Sequence, residues 1–321
     1  MPNSNFADRV IQGVRAKHSH AVVGLDPVLD RIPAFIRERA AAAHGKTARG
    51  AAAAITEFNR LIIDAVADQV ALVKPQSAFY EVYGHHGVEA FWETVRYARS
   101  KGLTVIADAK RGDIGSTVEA YAAAFFGHPN PLESWEDPEI WADSLTVNPY
   151  VGSDGIEPFV ARCKSRGTGI FVLVKTSNPS SGELQDQELF SGETVAQQVA
   201  KLVEYLGARV IGNSGYSAVG AVVGATYPED LARFRAEMPR AIILVPGYGT
   251  QGGTGGDVVS AFNADGLGAV ISASRSLIFA HEKPYGVEAT AAQLRGAVAG
   301  ALEVMNRDIN GALAEAGKLA W

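Results

Sequence analysis

The sequence predicts a single (β/α)8-barrel domain spanning residues 1–321, and three features lead to this fold class. Eight apolar runs recur along the chain, helical patterns separate most of them, and polar side chains follow them at their carboxyl ends. The runs are continuously apolar rather than alternating, which is typical of parallel strands buried on both faces. Eight strand–helix units in one chain are the number that a (β/α)8 barrel needs.

The predicted strands are rich in Val, Ile and Leu, and no linker or change of composition divides the chain between them. In chain order they are "HAVVGLD" (20–26), "VALVKP" (70–75), "LTVIADAK" (103–110), "SLTVNPY" (144–150), "GIFVLVKTS" (169–177), "GAVVGAT" (220–226), "AIILVPG" (241–247) and "GAVISAS" (268–274).

Helical patterns lie between the strands, for example at residues 51–67, 87–100 and 193–206. The alanine-rich stretch 40–54 also favours helix, with "HGKTARG" as a predicted interruption. Residues 128–141, "HPNPLESWEDPEIW", are rich in proline and acidic residues and are predicted to form a surface insertion before the fourth strand. The chain is predicted to end in a helical tail after residue 285.

Composition limits the partners of the protein. The formal charge of −6 argues against nucleic acid, which requires a basic surface, although a local phosphate site remains compatible with it. The N-terminus lacks an apolar signal region, and no run approaches the length of a membrane span. Cys163 has no partner in the chain, so a structural cysteine in a reducing compartment is favoured over a catalytic thiol. We therefore expect a cytoplasmic protein with no nucleic-acid and no membrane partner.

Polar residues stand at the carboxyl ends of the predicted strands, where barrel enzymes carry their chemistry. They are Asp26, Lys74, Asp108, Lys110, Asn148, Lys175, Thr176 and Arg275.

The third strand ends in "DAKRGD", which places four charged residues, Asp108, Lys110, Arg111 and Asp113, close together. Asp108 and Lys110 are two residues apart and are expected to share one face of the strand. Asp113 follows beyond Gly112, where the chain turns. A solvated charged turn would have the same spacing. The position at a strand end favours a site in which lysines stabilise an anion and carboxylates repel one.

A glycine-rich loop follows the seventh strand in "PGYGTQGGTGGD" (246–257). Gly247, Gly249 and Gly252 match the dinucleotide fingerprint, and a doubly wound sheet is the alternative fold. That fingerprint should be followed by several more strands, whereas one remains. In a barrel the loops after strands seven and eight commonly bind phosphate. Gln251 and Arg275 would then donate hydrogen bonds to the phosphate oxygens.

The ordered set of motifs resembles the orotidine 5'-phosphate decarboxylase family, in particular its longer bacterial (type 2) branch. The resemblance extends over the whole barrel. The motifs that carry it are "VGLDP", "VKPQSAFYE", "DAKRGDIGST", "VKTSNPSSG", "VPGYGTQGG" and "SASRS".

The resemblance implies four roles in the reaction centre. Asp26 would hold the ribose hydroxyls, and Lys74 would bridge the ribose and the substrate carboxylate. Asp108 would lie against that carboxylate, and Lys110 would protonate the carbon that loses carbon dioxide.

Further roles implied by the resemblance concern the periphery of the site. Asp113 and Thr117 would reach into the active site of a second subunit. Ser177 would contact the pyrimidine edge, while Gln251 and Arg275 would hold the phosphate.

The resemblance also implies a lyase of pyrimidine (UMP) biosynthesis that needs no cofactor and no metal, with orotidine 5'-phosphate as substrate and a homodimer that shares its active sites. One departure from the family pattern is Ser274, where many relatives have glycine. The Asp-x-Lys-x-x-Asp motif also occurs in magnesium-dependent phosphosugar synthases, so this class of enzyme stays open as a hypothesis. So do a Schiff-base aldolase that uses Lys74, Lys110 or Lys175 as its nucleophile and a non-catalytic phosphosugar sensor.

Overall fold

Eight parallel strands form a closed barrel in chain order in the computed structural model, which describes residues 4–127, 142–225, 228–249 and 253–321. Each strand pairs with its sequence neighbours, and β1 pairs with β8 to close the sheet. The predicted (β/α)8 fold class is confirmed, and the open doubly wound sheet is excluded. The predicted insertion at residues 128–141 lies outside the described residues.

The strands are short and almost entirely buried, because the lumen side chains cover one face and the helices the other. They are β1 (Ala21–Leu25), β2 (Leu72–Pro75), β3 (Thr104–Arg111), β4 (Ser144–Val147), β5 (Gly169–Lys175), β6 (Ser217–Val223), β7 (Ala241–Pro246) and β8 (Ala269–Ala273).

The prediction for the sixth strand is wrong in its bounds. The predicted strand starts at Gly220, whereas β6 in the structure begins three residues earlier, at Ser217. The Ser217 hydroxyl donates to the carbonyl of Gly207 at 2.9 Å and accepts from the backbone N of Val219 at 3.0 Å. A serine has low strand propensity by itself, and this tertiary hydrogen bonding is what extends the strand.

Helices surround the barrel and connect its strands. They are α1 (Phe6–Lys17), α2 (Ala34–His44), α3 (Ala48–Val66), α4 (Ala78–Glu81), α5 (Gly84–Ser100), α6 (Gly115–Phe126), α7 (Glu157–Arg166), α8 (Val195–Gly207), α9 (Pro228–Glu237), α10 (Gly255–Val258), α11 (Arg275–Ile278), α12 (Glu282–Tyr285) and α13 (Ala291–Glu315). None of the helices among the described residues is both long and apolar enough to span a membrane.

The predicted helices and the predicted break in the alanine-rich stretch are confirmed. The chain leaves α2 at Gly45, whose φ of 71° lies in the region that favours glycine, and re-enters helix after the N-cap Thr47. The predicted tail after residue 285 contains the long helix α13, which starts with a capping box between Thr290 and Gln293.

Helix α1 covers the amino-terminal end of the barrel. Phe6 packs edge-on against Phe171 of β5, with ring centroids 5.8 Å apart. A Cβ atom at Gly169 would lie 2.1 Å from the Phe6 ring, so glycine is required where β5 begins. The charged ends of β2 and β3 lie at the opposite, carboxyl end of the barrel.

Candidate active site

A carboxylate lies between two lysines at the carboxyl ends of β2 and β3. Asp108 Oδ2 accepts a hydrogen bond from Lys74 Nζ at 2.7 Å, and Asp108 Oδ1 accepts one from Lys110 Nζ at 2.6 Å. The side chains of Lys74 and Asp108 are each 9% exposed, whereas that of Lys110 is 46% exposed. The cluster is therefore closed at Lys74 and open at Lys110, where a ligand can reach the ammonium group.

Charge pairing keeps the buried members of this cluster ionised. Burial by itself raises the pKa of Asp108, but the charges of Lys74 and Lys110 outweigh it and hold the pKa of this carboxyl well below its usual range. Burial likewise lowers the pKa of Lys74, and the charges of Asp108 and Asp26 outweigh it and raise that pKa. A buried carboxylate and a buried ammonium thus coexist at neutral pH.

Thr146 of β4 is a third partner of Asp108 that the sequence analysis missed. Its hydroxyl donates to Asp108 Oδ1 at 2.9 Å and accepts from the backbone N of Lys110 at 2.9 Å. A single threonine in an apolar strand has no distinctive sequence pattern, and it lies 38 positions from Asp108. Asp108 and Thr146 become neighbours only through the register of β3 on β4, which pairs Ala107 with Leu145.

Lys110 has a left-handed backbone with φ 46°, which among the described non-glycine residues is shared only by His18. The pairing of β3 with β4 shifts register between Ala107 and Arg111, so the strand is irregular at this lysine. Such a conformation costs a non-glycine residue on the order of 1–3 kcal/mol and is concentrated at functional sites. Asp108 and Lys110 do meet as predicted. They meet through this irregularity rather than through regular strand alternation.

We expect Thr146→Val to lower kcat about tenfold, because it removes a hydrogen bond to a charged carboxylate and leaves the Lys110 N–H without its acceptor. Ser144→Ala is the matched control, since the Ser144 hydroxyl is buried on the same strand and has no hydrogen-bond partner among the described residues. Steady-state kinetics of the two variants checks this. Equal kcat values would show that the hydroxyl of Thr146 does not position the cluster.

Asp26 lies just beyond the end of β1 with an unused acceptor atom. Its Oδ1 is buried and has no hydrogen-bond partner among the described residues. The Tyr80 hydroxyl donates to the carbonyl of Leu25 at 3.2 Å, which holds the strand end next to this carboxylate. A buried, unpaired carboxylate oxygen is costly unless a ligand supplies a donor. Asp26 is therefore suited to accept from a ligand hydroxyl near Lys74.

The charged cluster faces a cavity of about 220 Å³ whose floor is apolar. The lining residues are Lys74, Asp108, Lys110, Thr146, Leu173, Thr176, Ser177, Asn178, Val222, Leu244 and Pro246. Leu173, Val222 and Leu244 give the cavity an apolar lining, which strengthens electrostatic interactions there.

A larger groove of about 580 Å³ lies between α2, α3 and Tyr83, but none of its charged residues is buried. We therefore assign the site by its chemistry rather than by its volume. Among the described residues, no group of three or more His, Cys, Asp or Glu side chains is placed to hold a metal ion.

The segment after β5 folds back onto the strand end beside Ser177. Lys175 is buried and forms an ion pair with Asp186 of that segment. The Gln185 side chain accepts from the backbone N of Thr176 at 2.9 Å and donates to the Thr176 hydroxyl at 2.8 Å. These contacts fix the backbone next to Ser177. Lys175, which the sequence offered as an aldolase nucleophile, is paired with Asp186 and is not among the residues that line the cavity.

After β7, the Gly249 N–H donates a hydrogen bond of 2.9 Å to the Gly253 carbonyl. Gln251 lies outside the described residues. Arg275 is the first residue of α11 and is exposed, and its side chain has no hydrogen bond or ion pair to the part of the chain that is described. Its guanidinium is thus available to an anionic ligand.

Asp113 and Thr117 lie beyond the turn after β3 and do not line the cavity of their own chain. Asp113 Oδ1 accepts from the backbone N of Ile114 at 2.8 Å, and Thr117 is exposed on α6. The structure therefore brings Lys74, Asp108, Lys110 and Ser177 together around one cavity. It leaves Asp113 and Thr117 on the adjoining surface.

The chain is similar to known proteins over most of its length. A family model described as "Orotidine 5'-phosphate decarboxylase / HUMPS family" matches residues 46–291. A Rhodopirellula baltica protein named orotidine 5'-phosphate decarboxylase is 45% identical over 95% of this chain and 99% of its own length. A Caldicellulosiruptor saccharolyticus protein of the same name is 38% identical over 87% of this chain and 90% of its own.

Solved structures have the same fold. The crystal structure of a Streptomyces avermitilis protein described as an orotidine 5'-phosphate decarboxylase superposes on this chain with a TM-score of 0.75. The two are 32% identical, and the match covers 98% of both chains. The structure of Leishmania donovani OMP decarboxylase superposes with a TM-score of 0.66 at 30% identity, covering 94% of this chain and 98% of that one.

Proposed function

The chain belongs to the orotidine 5'-phosphate decarboxylase / HUMPS family and converts orotidine 5'-phosphate to UMP and carbon dioxide in pyrimidine biosynthesis, and we propose that Lys110 is the acid of this reaction. The observation that carries the proposal is the position of the Lys110 ammonium, 2.6 Å from Asp108 and open to an apolar-floored cavity.

The reaction requires stabilisation that the substrate does not contain. When the bond from C6 to the carboxylate breaks, the electron pair stays on C6 in the plane of the pyrimidine ring, where the ring π system does not delocalise it. A fixed positive charge in that plane stabilises the developing carbanion. Lys110 would supply this charge and then donate one proton to C6, regaining it later from water. No cofactor is needed in this scheme.

Asp108 and Lys74 would prepare the site for this step. The irregular end of β3 and the Thr146 hydroxyl hold Asp108 and Lys110 in fixed positions, so little reorganisation is needed on substrate binding. Asp108, kept ionised by its lysines, would lie against the substrate carboxylate and disfavour it relative to the neutral carbon dioxide. Lys74 is held between the charges of Asp108 and Asp26 and would bridge the ribose and the carboxylate.

Three further contacts would orient the nucleotide. Asp26 would accept from the ribose hydroxyls through its unpaired buried oxygen. Ser177 lines the cavity beside Thr176 and would contact the pyrimidine edge. Arg275, exposed and without a partner in the described residues, would bind the phosphate together with Gln251.

The test of this function is decarboxylation of orotidine 5'-phosphate followed by absorbance, with a chelator present. We expect full turnover in chelator. Activity that requires magnesium would favour a phosphosugar synthase instead, and borohydride trapping of a sugar phosphate on a lysine would favour an aldolase. Tight UMP binding without turnover would indicate a sensor.

We further propose a homodimer whose subunits share their active sites. Exposed apolar side chains follow the carboxyl ends of β2, β3 and β4: Val82, Ile114 and Tyr150 are 71%, 56% and 79% exposed. Arg111, the last residue of β3, forms an ion pair of 2.6 Å with Glu81 of α4, the helix that follows β2. Burial of this patch in a two-fold interface would carry Asp113 and Thr117 to the partner's cavity.

The cytoplasm is the location we propose, since Cys163 is buried and unbridged.

Mixed dimers of two inactive variants are expected to recover activity. Lys110→Ala and Asp113→Ala homodimers should both be severely impaired, since every site carries a lesion. In a mixed dimer, Lys110→Ala damages its own subunit's site and Asp113→Ala damages the partner's, so both lesions fall in one site and the other is intact. Random mixing makes about half of the dimers mixed, and roughly a quarter of wild-type activity should return.

The control is a mixture of Lys110→Ala with Lys74→Ala, in which both lesions act within their own subunit and no site is repaired. If the Asp113→Ala mixture also stays inactive while subunit exchange is verified by a tagged copy, Asp113 serves its own subunit and the shared site is wrong.

A further inference from the structure

One carboxylate on the C-terminal helix holds both ends of the loop after β7. Asp308 of α13 accepts at a single oxygen, Oδ2, from the Tyr248 hydroxyl at 2.7 Å and from the backbone N of Gly255 at 2.7 Å. Tyr248 follows the end of β7 by two residues, and Gly255 begins α10. The two donors therefore lie on either side of the loop.

The approach of α13 to this loop is close. A Cβ atom at Gly255 would lie 2.5 Å from the Asp308 carbonyl oxygen, so the contact requires glycine at this position. Tyr248 also forms a bridge with Gly253, and the Gly249 N–H donates to the Gly253 carbonyl at 2.9 Å. The described ends of the loop are thus bonded to each other, and Asp308 fixes this unit relative to the barrel.

The tyrosine in this contact remains a donor throughout the neutral range. Burial raises the pKa of Tyr248, and its hydrogen bond to the Asp308 carboxylate raises that pKa further. Hydrogen bonds to a charged acceptor are shorter and stronger than neutral ones. Two of them on one oxygen are suited to hold a glycine-rich segment that has little conformational preference of its own.

We propose that Asp308 is a positioning residue that orders the loop after β7 for the substrate phosphate. This inference rests on the proposed function. It gives the C-terminal helix a role in the reaction although Asp308 itself touches no substrate. Because the loop would contact only the phosphate end of the nucleotide, its disorder should weaken recognition of the phosphate and leave the reaction centre at Lys110 unchanged.

The test is the selectivity for orotidine 5'-phosphate over orotidine, measured as the ratio of their kcat/KM values. We expect Asp308→Ala to lower this ratio about tenfold or more, because each lost bond to a charged group is worth about one order of magnitude. The value of kcat/KM for orotidine should stay unchanged. Asp308→Asn keeps an oxygen that can accept from both donors and should retain most of the selectivity. Glu303→Ala, an exposed acid on the same helix, is the matched control.

Tyr248→Phe provides a second variant that removes only one hydroxyl. It should lower the ratio less than Asp308→Ala, and the double variant should be no worse than Asp308→Ala alone, since both act through one contact. A loss that is equal for both substrates, or a ratio that equals that of the wild type, would overturn the positioning role. If instead the wild type does not decarboxylate orotidine 5'-phosphate, the proposed function itself fails.

Discussion

Replacing Lys110 with alanine is expected to abolish measurable turnover. General acids typically contribute 10²–10⁴-fold, so kcat should fall at least a hundredfold. The variant removes both the charge that stabilises the carbanion and the proton that quenches it. Asp108 keeps its bonds to Lys74 and Thr146, so the fold of the site should persist. UMP binding by calorimetry and the melting temperature, measured beside kcat, should show that the variant is folded and still binds nucleotide.

Lys110→Arg separates the charge from the proton. Arginine can keep an ion pair with Asp108 but does not release a proton at neutral pH, so we expect it to bind UMP and to remain nearly inactive. If either variant retains more than about a tenth of the wild-type kcat, Lys110 is not the acid of this reaction.

Removing both predicted phosphate ligands should cost roughly 10²–10⁴ in kcat/KM. Arg275 and Gln251 would each lose a hydrogen bond to a charged group, worth roughly 1.5–3 kcal/mol. Binding energy at the phosphate can also be used to organise the site, so kcat should fall along with the affinity. Steady-state kinetics of Arg275→Ala with Gln251→Ala checks this, with orotidine as the second substrate.

The decisive result is a change in selectivity. The wild type should use orotidine very poorly, and the double variant should discriminate far less against it. Arg275→Lys, which keeps the charge without the bidentate geometry, is the matched control and should be intermediate. A double variant as selective as the wild type would show that the phosphate binds elsewhere in the protein.

The sequence was sufficient for most of the fold, because buried parallel strands require continuous apolar runs and the intervening helices have their own periodicity. It failed at the start of β6. There Ser217 and Ala218 have weak strand propensity, and hydrogen bonding of Ser217 to Gly207 and Val219 extends the strand.

The site was predictable where its residues stand at strand ends. Lys74, Asp108 and Lys110 were predicted from their position at strand ends and Ser177 from the family resemblance, and the structure places all four around one cavity. Thr146, Asp186 and Asp308 were not predicted. Each acts through a contact with a residue elsewhere in the chain, and an isolated Thr or Asp has no pattern that reveals such a contact.

The sequence by itself determined the closed barrel and the end of it that carries charge, since burial and strand–helix alternation are properties of local composition. Only the tertiary structure decided how that charge is arranged. The register of β3 on β4 places Thr146 beside Asp108 and gives Lys110 its left-handed backbone, and the packing of α13 brings Asp308 to the loop 60 positions away. These contacts depend on strand register and helix packing, because only these bring distant segments within the roughly 3 Å that a hydrogen bond requires.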